Sequence, residues 1–544
     1  MLEVRRTHRR QWIVGAAVAL AVGAIGACDR EAAETPPAPT STPESVPPTS
    51  TVAAIGAVSS WGNNGYAQLG DGTECDKPKP GDNCFRLAPG PVSGPGGSGQ
   101  LSGVSSITAG GFHTVAVQPD RTVLSWGLNE EGQLGNGTYG PNSPVPVVVV
   151  GPGGTGKLDT ATALGGGSVH NLAVARNGLA WAWGDNIWAQ LGVGTSVGPQ
   201  FCPRGSSVPA QGASMRPKTR RREVGQPETR QPEGDPATSC SQYPRAVLSP
   251  DGKGQLGNVV ALVGGDNHSA ALLGDGTVWT WGLNDEGQLG IGTSSGPEQC
   301  RPYSSYPAAG CSTKPVPVVG PGGTGRLSNI RALAAGSDFT LALRSDGTVW
   351  AWGSNAWNDL GQTDPTKMEK CKSPFAPVPE YCSTKPLQVV GPNGGFLTDI
   401  MAVSAEGAPL GLHAMALRRD GTVWSWGIND MGQLGNGKSE LYRAAPVQVV
   451  GPGGKGFLTG IGAIGVGGKF SIALKTDGTV WAWGVNDQGQ LGQNTRSGPQ
   501  QCTDQNTPCS TTPVQVKGLR GQGLLTNVAA IAVGDDHVIA GQRP

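Results

Sequence analysis

The chain has 544 residues, with 40 basic and 40 acidic side chains. Its 88 Gly and 44 Pro interrupt helices along the whole length, while 15 Trp are too many for a disordered polymer. An all-β protein with many tight turns is expected, and the zero net charge offers no electrostatic footprint for nucleic acid or an anionic membrane.

The first element is a processing segment. Arg5, Arg6, Arg9 and Arg10 precede an uncharged, mostly apolar run from Trp12 to Ala27. That run falls short of the roughly 20 residues a transmembrane helix needs and suits the apolar region of an export signal. It ends in Ile25-Gly26-Ala27-Cys28. Small residues before a cysteine resemble a bacterial lipobox, in which the cysteine is acylated and becomes the first residue after cleavage. A signal is expected over 1–27. A tether rich in Pro, Thr, Ser and Glu, with little to bury, is expected over 28–50.

From residue 51 onward the sequence repeats. Trp-Gly occurs seven times in one template, at Trp61, Trp126, Trp183, Trp281, Trp352, Trp426 and Trp483. Asn follows each Trp three residues on, and then Leu-Gly, mostly as GQLG. Ahead of the Trp stand copies of DGTVWxWG, as at 275–282. Asp-Gly supplies the positive φ of a two-residue hairpin, and the alternation after it reads as a strand. Seven residues before each turn comes His113, His170, His268, Phe339, His413 or Phe470. A further copy begins at His537 but has no turn left at Pro544, and Trp61 has no turn before it. The seventh unit is therefore split between the two ends, as a closed ring requires; an open solenoid would want polar caps.

These residues resemble the regulator-of-chromosome-condensation repeat family, whose pattern is roughly G-x-x-H-x-x-A-L, a turn, then V-x-x-W-G-x-N-x-x-G-Q-L-G. The stretch 264–290 matches almost throughout. The resemblance implies an all-β, seven-bladed β-propeller over 51–544, made of four-stranded antiparallel blades, the last closed by both termini. GPGGTGKL (151–158) looks at first like a phosphate-cradling loop. It has siblings in the other six units, and Leu158 stands where a hydroxyl would hold Mg²⁺. It reads as a turn between blades, and no cofactor is expected.

Ten of the eleven cysteines form neighbouring pairs: Cys75/Cys84, Cys202/Cys240, Cys300/Cys311, Cys371/Cys382 and Cys502/Cys509. Every pair lies between a Leu-Gly and the next blade. In-loop disulfides are the simplest pairing, although sequence alone leaves connectivity open. Zinc is the rival reading, but C-x₂-C spacing and loop histidines are missing. Disulfides fit an oxidising compartment and support export independently. Five long loops should then crowd one face. They offer Tyr303, Tyr306, Phe375 and Tyr381 as interface anchors, against the alternative that these rings pack their own loops. The longest loop contains an insertion near 204–238 that has no apolar period and reads as disordered.

No catalytic cluster interrupts the repeats. Five of the six histidines share one repeat position where Phe also occurs, which marks a packing position. Asp535-Asp536 and Glu130-Glu131 are expected to be ordinary exposed pairs. No catalytic or metal site is expected, and the chain is not read as an enzyme. The expected function is a monomeric, lipid-anchored binding or scaffold propeller of a bacterial cell envelope. It would touch the membrane through its N-terminal lipid alone and present its loops to a protein or glycan. Two alternatives remain. One is the guanine-nucleotide exchange that the resemblance implies, which export and disulfides disfavour. The other is a polysaccharide-acting enzyme using the central channel, which a lining of small residues would count against. Trypsin should cut the mature protein first between Arg216 and Arg230, leaving the pieces joined through Cys202–Cys240. Survival of that stretch in the native protein would remove the expectation of disorder.

Overall fold

Short β-branched and tryptophan-bearing runs, punctuated by Asp-Gly and Gly-rich turns, favour short antiparallel strands over helices. The computed structural model describes residues 55–544 except 74, 76–83, 199, 203–237, 301–306, 375–379, 393, 408–411 and 504–505. The expected signal and tether with Cys28, the anchors Tyr303, Tyr306 and Phe375, and nearly all of the 204–238 insertion lie outside the described residues.

Seven antiparallel sheets form the ring. Blade 1 runs from inner to outer strand as Ser106–Ala109, His113–Val117, Val123–Gly127 and Ser143–Val148. The inner strands of blades 2 to 6 are Ala161–Gly166, Val259–Gly264, Ile330–Ala335, Ile400–Ala405 and Ile461–Val466. Blade 7 takes its two inner strands, Val528–Val533 and His537–Gln542, from the far end of the chain. Its two outer strands, Val58–Asn63 and Phe85–Pro91, come from the near end, and Trp61 sits opposite Val538. This is the split unit that the repeat phase required. Four blades add to the four-stranded template a fifth strand, Gln200–Cys202, Glu298–Cys300, Glu369–Cys371 or Gln500–Cys502. Each extra strand belongs to a cysteine loop and pairs with the outer strand.

The core lies between blades. Val115, Val117 and Val123 of blade 1 cluster with Leu164, Ala173 and Trp183 of blade 2. The Trp-Gly tryptophans are all fully buried, and each indole N–H has one partner. It donates to the backbone carbonyl at the Gln position of the preceding blade's GQLG: Trp126 to Gln68, Trp183 to Gln133, Trp281 to Gln190 and Trp352 to Gln288. Trp426 donates to Asp359, Trp483 to Gln433 and Trp61 to Gln490, so the ring closes with the same bond, at 2.8–3.1 Å throughout. The Gly after the Leu explains itself here. Gly70 has φ +63°, and a Cβ on it would strike the Trp126 indole. The Asn side chain accepts the N–H of the Leu five residues on in every unit, as Leu69 N to Asn64 Oδ1 at 3.0 Å. The WGxNxxGQLG signature is thus one hydrogen-bonded turn that presents a carbonyl to the next blade.

The His/Phe position makes a second tie. His113 Nε2 lies 2.9 Å from Asn171 Oδ1, His170 2.9 Å from Ser269 Oγ, His268 2.9 Å from Thr340 Oγ1, and His413 2.9 Å from Ser471 Oγ. His537 meets Thr114 Oγ1 at 3.1 Å. Each partner directly follows the His or Phe of the next blade. Ser269 and Ser471 donate in turn to the Gln190 and Gln433 carbonyls, so the imidazole Nε2 carries the donated proton. Where the ring is Phe339 or Phe470, the matching residue is Ala414 or Val538, and each Phe packs in one apolar cluster with it. Polar rings meet polar partners and apolar rings meet apolar ones. Phe470→His alone should therefore destabilise the protein by about 1–3 kcal/mol, because Val538 offers no acceptor. Adding Val538→Ser should restore most of that loss in thermal unfolding. A double variant no more stable than the single would reject the coupling.

Candidate binding face at the channel mouth

Antiparallel order puts the turns from inner to second strand on the same face as the connections from third to outer strand, which carry the cysteine loops. Near the axis these turns are joined into a collar by backbone hydrogen bonds. Gly468 N donates to Asp535 O, Asp535 N to Gly111 O, Gly111 N to Ser168 O, Ser168 N to Gly265 O, and Asp266 N to Ser337 O, at 2.9–3.2 Å. Blade 5 has a longer turn. Its Gly407 packs against the Gly264 carbonyl of blade 3, where no Cβ would fit. Behind the collar the channel narrows to a cavity of about 30 Å³, lined by small residues such as Ala109, Gly166, Gly264, Ala335 and Ser404, together with Glu406.

The mouth is acidic. Asp266, Asp535 and Asp536 stand in the collar, and Glu130, Asp285, Glu286, Asp430 and Asp487 in the adjoining Asn-x-x-Gly turns. Lys469 is the basic residue of these turns, and its Nζ lies 3.2 Å from Asp430 Oδ2. The expectation of exposed acid pairs is corrected here. Asp535 is 3% exposed and Glu130 8%. The reason for Asp535 is the collar, whose backbone bonds draw that turn between its neighbours. Its Oδ1 has no hydrogen-bond partner among the described residues. Burial, with Asp536 and Asp266 nearby, holds its carboxyl well above the usual range. Burial likewise pushes Asp266 up to about 7 and Asp536 to about 6. The histidines move the other way. Burial lowers His113 and His268 to about 4, and His170, His413 and His537 to about 3, so they stay neutral tethers.

The loops around the mouth are braced. Disulfides join Cys75–Cys84, Cys202–Cys240, Cys300–Cys311, Cys371–Cys382 and Cys502–Cys509. They are core elements as much as staples. Cys300 and Cys311 cluster with Leu283 of their own blade and with Ile187 and Trp188 of blade 2. Ser373, in the blade 4 loop, donates to Asp285 of blade 3. Of the proposed anchors, Tyr381 is described. It lies on the outer strand of blade 4, 47% exposed, opposite Lys370, whose Nζ is 5.5 Å from the ring centre. It belongs to the rim of this face, not to the acidic mouth. Among the described residues no group of three or more His, Cys, Asp or Glu is placed to hold a metal.

Sequence reasoning passed over Asp266 and took Asp535 for an exposed residue. Their signal is a charge directly after the Gly of the G-x-x-[His/Phe] turn, where the other described turns of that form carry Gly111, Ser168, Ser337 and Gly468.

Fold and ties together define a repeat propeller of one known class. A profile of the RCC1-like domain matches residues 223–543, and profiles of the regulator of chromosome condensation (RCC1) repeat match 56–117, 120–174 and 104–133. The chain belongs to this family. It is 28% identical over 455 residues to the human E3 ubiquitin-protein ligase HERC2, covering 77% of this chain but 8% of that protein. It is 25% identical over 478 residues to the ultraviolet-B receptor UVR8 of Arabidopsis thaliana, covering 86% of this chain and 80% of the receptor. Among solved structures, human WBSCR16 superposes with a TM-score of 0.58 at 19% identity, covering 90% of this chain and all (100%) of that one. Prp20p of Saccharomyces cerevisiae gives 0.57 at 17% identity, covering 90% and 93%. These two likenesses bear on fold alone.

The buried carboxyls set a pH dependence of definite sign. An acid whose folded pKa is raised contributes stability that is present below its unfolded value of about 4 and is lost as pH rises through the folded value. Asp266→Asn should therefore stabilise the protein at pH 8 by on the order of a few kcal/mol, with the gain vanishing toward pH 5. The neutral histidines support stability above about 6.5 that is lost as pH falls toward 4. Melting temperatures of wild type and Asp266→Asn across this range check the first claim. A pH-independent difference would reject it.

Proposed function

We propose that the protein is a binding or scaffold propeller of the cell envelope, exported by its 1–27 segment, acylated at Cys28 and tethered through 28–50. Its partner is a protein or glycan that docks on the face carrying the cysteine loops. The observation that carries this reading is the set of disulfides, all in connections of that one face. A rigid, braced loop surface loses little freedom on binding, and disulfides belong to an oxidising compartment. The family supports a binding role, since the relative UVR8 is a receptor. Guanine-nucleotide exchange fits poorly with a disulfide-braced chain. Polysaccharide chemistry in the channel finds a lining of mostly small residues there.

The test is a pull-down from the native envelope. Wild type is compared with a variant in which residues 301–306 and 375–379 are replaced by short Gly-Ser links, with every cysteine kept. Loss of specific partners from the variant is expected, and an unchanged partner set would move binding off this face. Palmitate labelling that disappears in Cys28→Ser is expected as well; labelling that persists would end the acylation reading.

A further inference from the structure

The zero net charge conceals a separation of charge. The collar face is acidic, and the opposite face has different chemistry. That opposite face carries the second-to-third-strand turns and the outer-to-inner connections. The two meet by backbone bonds such as Val259 N to Gly178 O and Ile400 N to Gly347 O. One position of each connection, directly before its final Leu, lies against the turn of its own blade. There Lys157 Nζ bonds Thr122 Oγ1 at 2.8 Å, and Arg326 lies 5.3 Å over the Trp279 ring. Blades 4, 5 and 6 place Phe396, Phe457 and Leu524 at this position. They are 50, 56 and 48% exposed, and Leu519 beside Leu524 is 42% exposed. One exposed Phe is ordinary. Three apolar side chains at the same position of three consecutive blades put a row of exposed apolar tips on one face.

Cations share this face. Arg344, Arg418, Arg419 and Lys475 stand on the turns of the same three blades, and Arg520 and Arg543 flank Leu524 and the turn of blade 6. Arg344 and Lys475 lie 5.8 and 5.3 Å over the half-buried rings of Trp350 and Trp481. Two of these cations are already paired: Arg344 Nη1 lies 3.5 Å from Asp346 Oδ2, and Arg418 lies 3.4 Å from Asp399 Oδ2 and 4.0 Å from Asp420 Oδ2. Asp346 Oδ1 accepts from Thr348 N and Oγ1 at 3.0 and 2.6 Å, and Asp420 and Asp477 repeat the pattern with Thr422 and Thr479. Exposed apolar tips, cations and tryptophan at one level form the composition of a surface that enters a lipid headgroup layer.

The path of the chain points to the same face. Gly56 N donates to Gln542 O, so the chain enters the ring where blade 7 would have its second-to-third-strand turn. Cys28 lies 27 positions upstream of Ile55 (55 − 28). We propose that this face docks flat on an anionic lipid bilayer. Phe396, Phe457 and Leu524 enter the headgroup boundary, and the acidic loop face is held outward by its own charge. The proposal rests on the export reading for which surface is met, but it does not require the acyl group.

The full-length protein is reconstituted on phosphatidylcholine vesicles with and without phosphatidylglycerol, and amide hydrogen exchange is followed by mass spectrometry. The turns 344–348, 418–422 and 475–479 should exchange several-fold more slowly on the anionic vesicles, and this protection should fade at high salt. The Phe396→Ser/Phe457→Ser/Leu524→Ser variant changes exposed positions, so it should keep its fold and its vesicle attachment while losing the protection. Equal exchange on both lipids, or protection confined to the collar face, overturns the proposal. The Cys28→Ser chain separates the two readings. If it keeps the footprint, docking stands without the acyl group. If the acylated chain is attached and shows no footprint, docking fails while the anchor stands.

Discussion

Everything in this ring depends on one hydrogen bond made seven times, from a buried indole N–H to a carbonyl of the neighbouring blade. A propeller blade shares no strand ladder with its neighbour, so side chains, together with turn-to-turn backbone bonds, hold adjacent blades in register. The indole brings a large apolar surface to the interface and a single donor that must be satisfied when buried. The Asn and Gln side chains of the signature order the turn that supplies the acceptor. A ring of such bonds has no weak end, because the last blade is built from both ends of the propeller segment.

The histidine tie refines this logic. A buried imidazole is tolerated where the next blade supplies a hydroxyl or amide, and Phe replaces it where the next blade supplies Ala414 or Val538. The choice is set across an interface, not within a repeat. Burial holds these histidines neutral. Burial also raises the carboxyls of Asp266, Asp535 and Asp536, so the two sets oppose each other as pH changes.

The two faces of the disc then diverge in chemistry. Disulfide loops and carboxylates gather at one face; arginines, tryptophans and three exposed apolar side chains gather at the other. A molecule polarised in this way can meet two partners of opposite character at once.

Periodicity alone determined the blade count, the hairpin turns and the split seventh unit, because six copies of the Trp-Gly signature sit at the same spacing from their turns and the seventh, at Trp61, lacks one. The rejection of GPGGTGKL as a phosphate loop rested on the same counting. Each cysteine pair falls within one connection, which made in-loop pairing the simplest choice while the sequence left connectivity open. The burial of Asp535 and Glu130 was not legible. Repeat phase says which turn a residue occupies but not how tightly seven turns converge on an axis, and close convergence is what removes water from a carboxylate. The meaning of His against Phe was hidden for a related reason. Its partner lies one blade away, 58 residues on for His113 and 99 for His170. The separation of charge was equally invisible to a net sum of zero. Only closing the ring brings side chains far apart in the chain onto one face, so only the tertiary structure decides what each face can bind.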